Sequence, residues 1–330
     1  MNEKLLNMSS SPHVRHSLTT GSVMTDVVLA LLPATVFGVY RYGLHAFLVI
    51  LISVASAVLA EYLFDLVAKH PNTIRDGSAV VTGLLLAFNL PVSIPLWQAA
   101  IGSVIAIVVV KQLFGGIGQN FVNPAITGRI ILMVSFPTAM TTWIKPLLWL
   151  DKGAEAVTTA TPLTMMTKGG ELSDGLPSLV DMLIGIRGGS LGETCAVALI
   201  IGGVYLMIRK IISPAIPLSF IGTVAVIMLV AGKGSFTFVA YQLLSGGLML
   251  GAFFMATDYT TSPINLKGRI IFGIGCGLLT SFIRLFGSLP EGVSFSIILM
   301  NILVPHIEHL TTPKPFGTVK EKKKKGAEKA

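Results

Sequence analysis

Apolar residues run through this chain in long blocks separated by short polar breaks. That pattern predicts membrane-crossing helices, which need roughly 17 to 25 residues to span the hydrocarbon core. Ten such blocks occur, in two groups of five. The first group covers 23–40, 44–68, 78–96, 97–114 and 124–137, and the second covers 191–208, 214–231, 236–256, 270–286 and 293–310. Several are short or hold internal glycine and proline, which marks them as broken helices whose freed backbone groups are satisfied inside the bundle. The expected fold is all-α and polytopic, with about ten transmembrane helices in two five-helix repeats. A polar segment 1–22 precedes the first membrane half (23–137), a connection 138–190 separates it from the second (191–310), and a tail 311–330 follows.

Composition strengthens this picture. Of 330 residues, 52% are apolar and 12% charged, where a soluble domain carries about 25% charge, so a soluble two-domain enzyme is excluded. The 34 glycines suit helices that approach closely. Cys195 and Cys276 lie inside apolar runs without a ligand-like spacing, which argues against a disulfide framework or a metal site. Half of the net charge of +8 resides in the last eleven residues, where six lysines oppose Glu321 and Glu328. This polar tail reads as a cytoplasmic topology signal that touches anionic membrane lipid, and not as a nucleic-acid surface. A cytoplasmic amino terminus puts 17 of the 24 Lys and Arg residues inside, and an even number of spans returns the tail to the cytoplasm. No cleavage pattern follows the first apolar block.

An internal echo supports the five-plus-five division. Asn123-Pro-Ala-Ile-Thr-Gly-Arg-Ile-Ile131 reappears as Ser262-Pro-Ile-Asn-Leu-Lys-Gly-Arg-Ile-Ile271, with one residue more between proline and glycine. An odd number of spans per half implies inverted copies, the arrangement of many transporters, although both motifs fall on the same expected face. The connection 138–190 is far longer than the other breaks and lies on the extracytoplasmic side, so chemistry is expected there. It contains Glu155-Ala-Val-Thr-Thr-Ala-Thr-Pro-Leu163, with three hydroxyls in four positions beside a proline. On residues alone this is either a polar turn or a modification site. Asp76-Gly-Ser78, and Asn120 with Asn123, flank helix starts, where they serve either as amino-terminal caps or as an anion or flavin site. Glu61 and Asp65 share one helix face near an interface, as solvated carboxylates or as an ion path. Arg129 and Arg269 read as interfacial anchors or as partners of a carboxylate or flavin, and His45 as an interfacial residue.

These motifs together resemble one family. Thr158-Thr-Ala-Thr-Pro-Leu163, Asp76-Gly-Ser-Ala-Val-Val-Thr-Gly-Leu-Leu-Leu-Ala87, Gly115-Gly-Ile-Gly-Gln-Asn-Phe-Val-Asn-Pro124 and Thr257-Asp-Tyr-Thr-Thr-Ser-Pro263 are similar, in this order, to signatures of the D subunits of Rnf complexes and the B subunits of sodium-pumping NADH:quinone reductases. The resemblance spans residues 20 to 310, and the chain length favours the Rnf branch. It implies FMN bound covalently as a phosphoester of Thr161, with Glu155 in the acidic position of the attachment motif, Thr158 in its hydroxyl position and Ala160 in its alanine position. Thr159 stands where the family usually has glycine. Attack of the Thr161 oxygen on the pyrophosphate of FAD, with loss of AMP, needs a metal ion and positioning that this loop lacks, so a separate flavin transferase is implied. A noncovalent riboflavin within the bundle is a further implication.

The function so implied is that of a membrane component in an ion-translocating ferredoxin:NAD+ oxidoreductase, not catalytic alone. It would assemble with the other Rnf subunits, A, B, C, E and G, among them further membrane subunits, a second FMN-bearing subunit on the outer face and cytoplasmic iron–sulfur subunits. The alternatives are the B-type component of the quinone reductase or a cofactor-free solute channel of two five-helix repeats. There is no catalytic triad, Walker loop or strand-preceded GxGxxG, so the chain does not read as binding a nucleotide itself.

Overall fold

The computed structural model describes residues 18–71, 73–147, 160–166, 175–193, 195–287 and 291–313. Among them every regular element is helical, and each of the ten expected blocks contains helix. In the first half these are α1 (Thr20–Tyr42), α2 (Leu44–Ala68), α3 (Ser78–Phe88), α4 (Leu96–Ile105), which continues as a π-helix over Ala106–Gln112, and α5 (Pro124–Ser135). Among the described residues of the connection are three short helices, α6 (Pro137–Thr141), α7 (Pro162–Met165) and α8 (Leu179–Ile184). In the second half are α9 (Ala196–Ile208), α10 (Ala215–Ala231), α11 (Phe236–Leu244), α12 (Leu248–Leu250) with a π-helix over Gly251–Met255, α13 (Leu266–Phe286) and α14 (Val293–Thr311).

Four of these, α1, α2, α13 and α14, are long and apolar enough to cross a membrane unaided, and α11 with α12 and its π-turn forms a fifth candidate bent by 67°. With the shorter apolar helices around them they make a multi-pass membrane protein. The expected block 78–96 ends as helix at Phe88. At 1.5 Å per residue α3 is only about 16 Å long, half of the hydrocarbon thickness. Asn89, with Pro91 and Pro95 beyond it, stops the helix inside the protein, and Leu90, Val92 and Ile94 are buried.

Irregular backbone in so apolar a setting must find partners, because each unpaired group costs several kcal/mol. The first residues after the connection supply them. The amide of Gly192 donates to the carbonyl of Phe88 at 2.9 Å, and that of Leu191 to Leu90 at 3.0 Å. Gly192 is obligatory here, since a Cβ would collide with the Phe88 ring. The break between α11 and α12 is resolved differently. Gly246 takes φ +64, and the Arg284 guanidinium reaches back from α13 to donate to the carbonyls of Gln242 (2.6 Å) and Ser245 (3.1 Å).

Close helix packing depends on absent side chains. At Gly83 on α3 a Cβ would stand 2.8 Å from the Ser53 carbonyl of α2. Gly273 and Gly277, four apart on α13, take up the side chains of Ser219 and Thr223 on α10, the small-xxx-small pattern of membrane helix pairs. Cys195 and Cys276 are free and buried, as their apolar surroundings predict.

Candidate functional site

Two polar regions are built into the bundle. The first lies where the broken elements meet. Arg129, at 4% exposure, is held on α5 and donates to Asn89 Oδ1 at 2.8 Å, to Ser294 Oγ at 3.2 Å, to Glu193 at 3.4 Å and to Glu291 in a close ion pair. Arg187 is equally buried and donates to the Glu193 carbonyl at 2.6 Å. Arg284 lies near the same place, next to Gly246 and Glu291. Three arginines therefore face two glutamates in a dry interior. Burial pulls the Arg187 guanidinium below its ordinary value.

This region decides between two readings of Arg129. It is not an interfacial anchor but the carboxylate-paired centre of a buried network. Its counterpart Arg269 is half-buried and uses its Nε to hold the Pro263 carbonyl at 3.1 Å. Sequence reasoning missed Arg187, Glu193, Arg284 and Glu291. The available signal is a charged residue at the end of an apolar block beside Gly or Pro, because breaks inside a membrane need polar partners.

The connection rests against this region through α7. Thr161 is the residue before the first turn of α7, and its hydroxyl makes no capping bond. Its partner among the described residues is the Thr164 hydroxyl at 3.3 Å, while Thr164 donates to the Thr161 carbonyl at 2.7 Å. Thr161 is buried and Ala160 exposed. Leu163 reaches Gly246, within 4 Å of a point that Arg284 also approaches, and the Met166 sulfur accepts from Gln242 at 3.9 Å. Glu155, Thr158 and Thr159 lie outside the described residues, as does the lysine tail.

The second region is a cavity of about 380 Å³ between the halves, walled by α1, α3, α5, the two π-helical stretches and the Thr257–Thr260 loop. Asn120, Asn123 and Asp258 line it together. Asn123 caps α5 by accepting from the Ile126 amide at 3.2 Å and donates to the Met255 carbonyl at 3.3 Å. Burial raises the Asp258 carboxyl above its ordinary value, against hydrogen bonds from Thr260, Thr261 and Asn120. Lys111, from the first π-helix, also lines the cavity and donates to the Ser78 hydroxyl at 2.6 Å and to both Glu61 oxygens at 2.9 and 2.8 Å.

Glu61 and Asp65 are 0% and 3% exposed, which overturns the solvated alternative. Thr73 ties them together, donating to Glu61 at 2.7 Å and to Asp65 at 3.0 Å. Asp76 accepts from the Ser78 amide, the first of α3, at 2.8 Å, while Gly77 in the cap position makes no side-chain bond and Ser78 also lines the cavity. No group of three or more potential metal ligands occurs among the described residues.

Known proteins share this sequence over nearly its whole length. The chain matches the NQR2, RnfD, RnfE family over residues 7–317. It is 48% identical over 326 residues to the D subunit of the Na(+)-translocating ferredoxin:NAD(+) oxidoreductase complex of Acetobacterium woodii, covering 98% of this chain and 99% of the relative. It is 47% identical over 325 residues to the D subunit of the proton-translocating ferredoxin:NAD(+) oxidoreductase complex of Clostridium ljungdahlii, covering 96% and 97%. Two relatives at nearly equal distance are thus named for different ions. The D subunit of the ion-translocating oxidoreductase complex of Escherichia coli is 35% identical over 347 residues, 95% of this chain and 99% of the relative. On the family match and these identities, the chain belongs to the NQR2, RnfD, RnfE family.

Proposed function

We propose that the chain is the D-type membrane component of an ion-translocating ferredoxin:NAD+ oxidoreductase and carries electrons through FMN esterified to Thr161. The relatives' names support the complex, and the observation that carries the attachment site is that the Thr161 hydroxyl caps no backbone amide of α7. A threonine preceding a helix usually spends its oxygen on a backbone amide. Here it makes no such bond and, among the described residues, meets the Thr164 hydroxyl at 3.3 Å, so a phosphoester displaces no capping bond. The residues therefore fit the group. FMN would supply one- and two-electron redox chemistry that no side chain of this chain offers.

The chain's own contribution is position. Thr161 holds the phosphate, and the turn that follows is pinned to the bundle by Leu163 and Met166. A second, noncovalent flavin such as riboflavin would occupy the 380 Å³ cavity, whose volume suits a small-molecule site. Its apolar walls, including Phe253 and Phe254, would take a planar ring, with Asn120, Asn123 and Asp258 available to its polar edge. In the cell membrane both termini would face the cytoplasm and the flavin-bearing connection the opposite side. Partners would be the A, B, C, E and G subunits of the complex, and a flavin transferase for maturation.

Mass spectrometry of the peptide 153–168, from protein made with a competent flavin transferase, tests this reading. The expected result is the mass of the peptide plus FMN less one water, a fluorescent band after denaturing electrophoresis, and loss of both in Thr161→Ala. An unmodified peptide would favour a cofactor-free carrier, whereas a fluorescent Thr161→Ala band would move the ester to Thr158 or Thr159.

A further inference from the structure

A second pocket, of about 390 Å³, opens where α9 ends and where α10 and α13 begin. Its wall carries Lys210, Arg269, Ser213, Ser262 and Tyr259 and, among the described residues, no acidic one. We propose that it binds the phosphate of an anionic phospholipid, seated between Lys210 and Arg269.

Several independent features favour this ligand class. Lys210 is exposed in a left-handed conformation, φ 57, just after α9, and forms no ion pair among the described residues. Its neighbour Arg209 is already committed to Asp26 at 3.1 Å. Arg269 is fixed at the pocket wall by its Nε bond to Pro263, which spares its terminal nitrogens among the described residues. Ser213 and Ser262 add hydroxyls that donate to phosphate oxygens. The first turn of α10 adds the positive end of a 17-residue helix, since Ser213, Pro214 and Ile216 all line the pocket.

The surroundings select a lipid over a soluble anion. Ile208, Leu218, Leu266 and Ile270 are exposed by 74, 69, 62 and 40% on the three helices that form the pocket rim. They belong to elements apolar enough to face hydrocarbon. A ligand with a phosphate and two acyl chains satisfies the cations and these side chains together, whereas free phosphate satisfies only the cations. The basic cluster also sits at helix ends, the depth at which headgroups lie.

Native mass spectrometry of the full chain in mild detergent, offered equal amounts of phosphatidylglycerol and phosphatidylcholine with the same acyl chains, tests the site. Both headgroups carry a phosphate, but the choline ammonium cancels its charge in one of them; each cation facing a net anionic headgroup contributes about a fivefold factor, so the wild type should retain phosphatidylglycerol at least about tenfold better. The variant K210A/R269A should lose that preference to within about twofold, while Lys267→Ala, on the same face but outside the pocket, should keep it. Lys210→Ala alone removes an exposed side chain, leaves folding intact, and should cost about fivefold. Equal retention of both lipids by the wild type, or an equal loss in Lys267→Ala, would overturn the proposal. So would displacement of the lipid by millimolar inorganic phosphate, which would assign the pocket to a soluble anion.

Discussion

The two copies of the Pro…Gly-Arg-Ile-Ile motif begin helices in opposite halves and have been put to different uses. In the first copy Asn123 caps α5, Gly128 lies against the backbone of α4, and Arg129 anchors a buried ionic network. In the second copy Asn265 makes no capping bond, Gly268 faces the side chains of Pro263 and Thr311, and Arg269 lines a surface pocket. The same residues at nearly the same spacing thus stabilise the interior in one half and leave a binding surface in the other. What differs is the company each copy keeps. Arg129 meets the broken end of α3 and two glutamates from distant segments, whereas no glutamate of the described residues pairs with Arg269.

The largest expected contrast is between the arginines. Arg129→Ala leaves Glu193 and Glu291 buried without their partner and should cost about 3–5 kcal/mol, read as a lower melting temperature in detergent. Arg269→Ala should stay within about 0.5 kcal/mol. Equal losses would show that the two copies share one structural role.

The glycines come next. Gly128→Ala would place a Cβ 2.9 Å from the Gly102 carbonyl, a backbone atom that cannot turn aside, and should cost about 1–2 kcal/mol. Gly268→Ala meets only side chains and gains helix propensity, so its net effect should lie within about 1 kcal/mol. The caps give the smallest difference. Asn123→Ala should cost about 1 kcal/mol and Asn265→Ala a few tenths, both measured by thermal melting.

Much of this fold is legible in the sequence because a membrane helix announces itself by length and apolarity, and all ten blocks contain helix. The breaks are partly legible. Pro91 and Pro95 stand in the expected block 78–96 and mark where α3 ends, but nothing local indicates that Leu191 and Gly192 complete it. The π-helical stretches at Ala106–Gln112 and Gly251–Met255 carry no sequence signal that separates them from α-helix. The same limit applies to the sites. Asn120 and Asn123 stand out by their positions at a helix start, yet only folding brings Asp258 beside them. Arg129 reads from the sequence as an interfacial anchor or as a carboxylate's partner, and the choice stays open there because its glutamates come from the stretch before α9 and from the approach to α14, whose proximity is a tertiary fact. The motif around Thr161 is visible as a motif, and the structure adds that its hydroxyl does not cap α7.

The pairing of Phe88 and Leu90 with Gly192 and Leu191 has a consequence for how the chain is made. While the ribosome is still producing the first five segments, those two carbonyls have no permanent donor, because the residues that will serve them have yet to be translated. The amino-terminal part must therefore wait in the translocation machinery or the bilayer in an unfinished form, and a chain truncated before Leu191 should be a target for quality-control proteolysis rather than a stable half-protein.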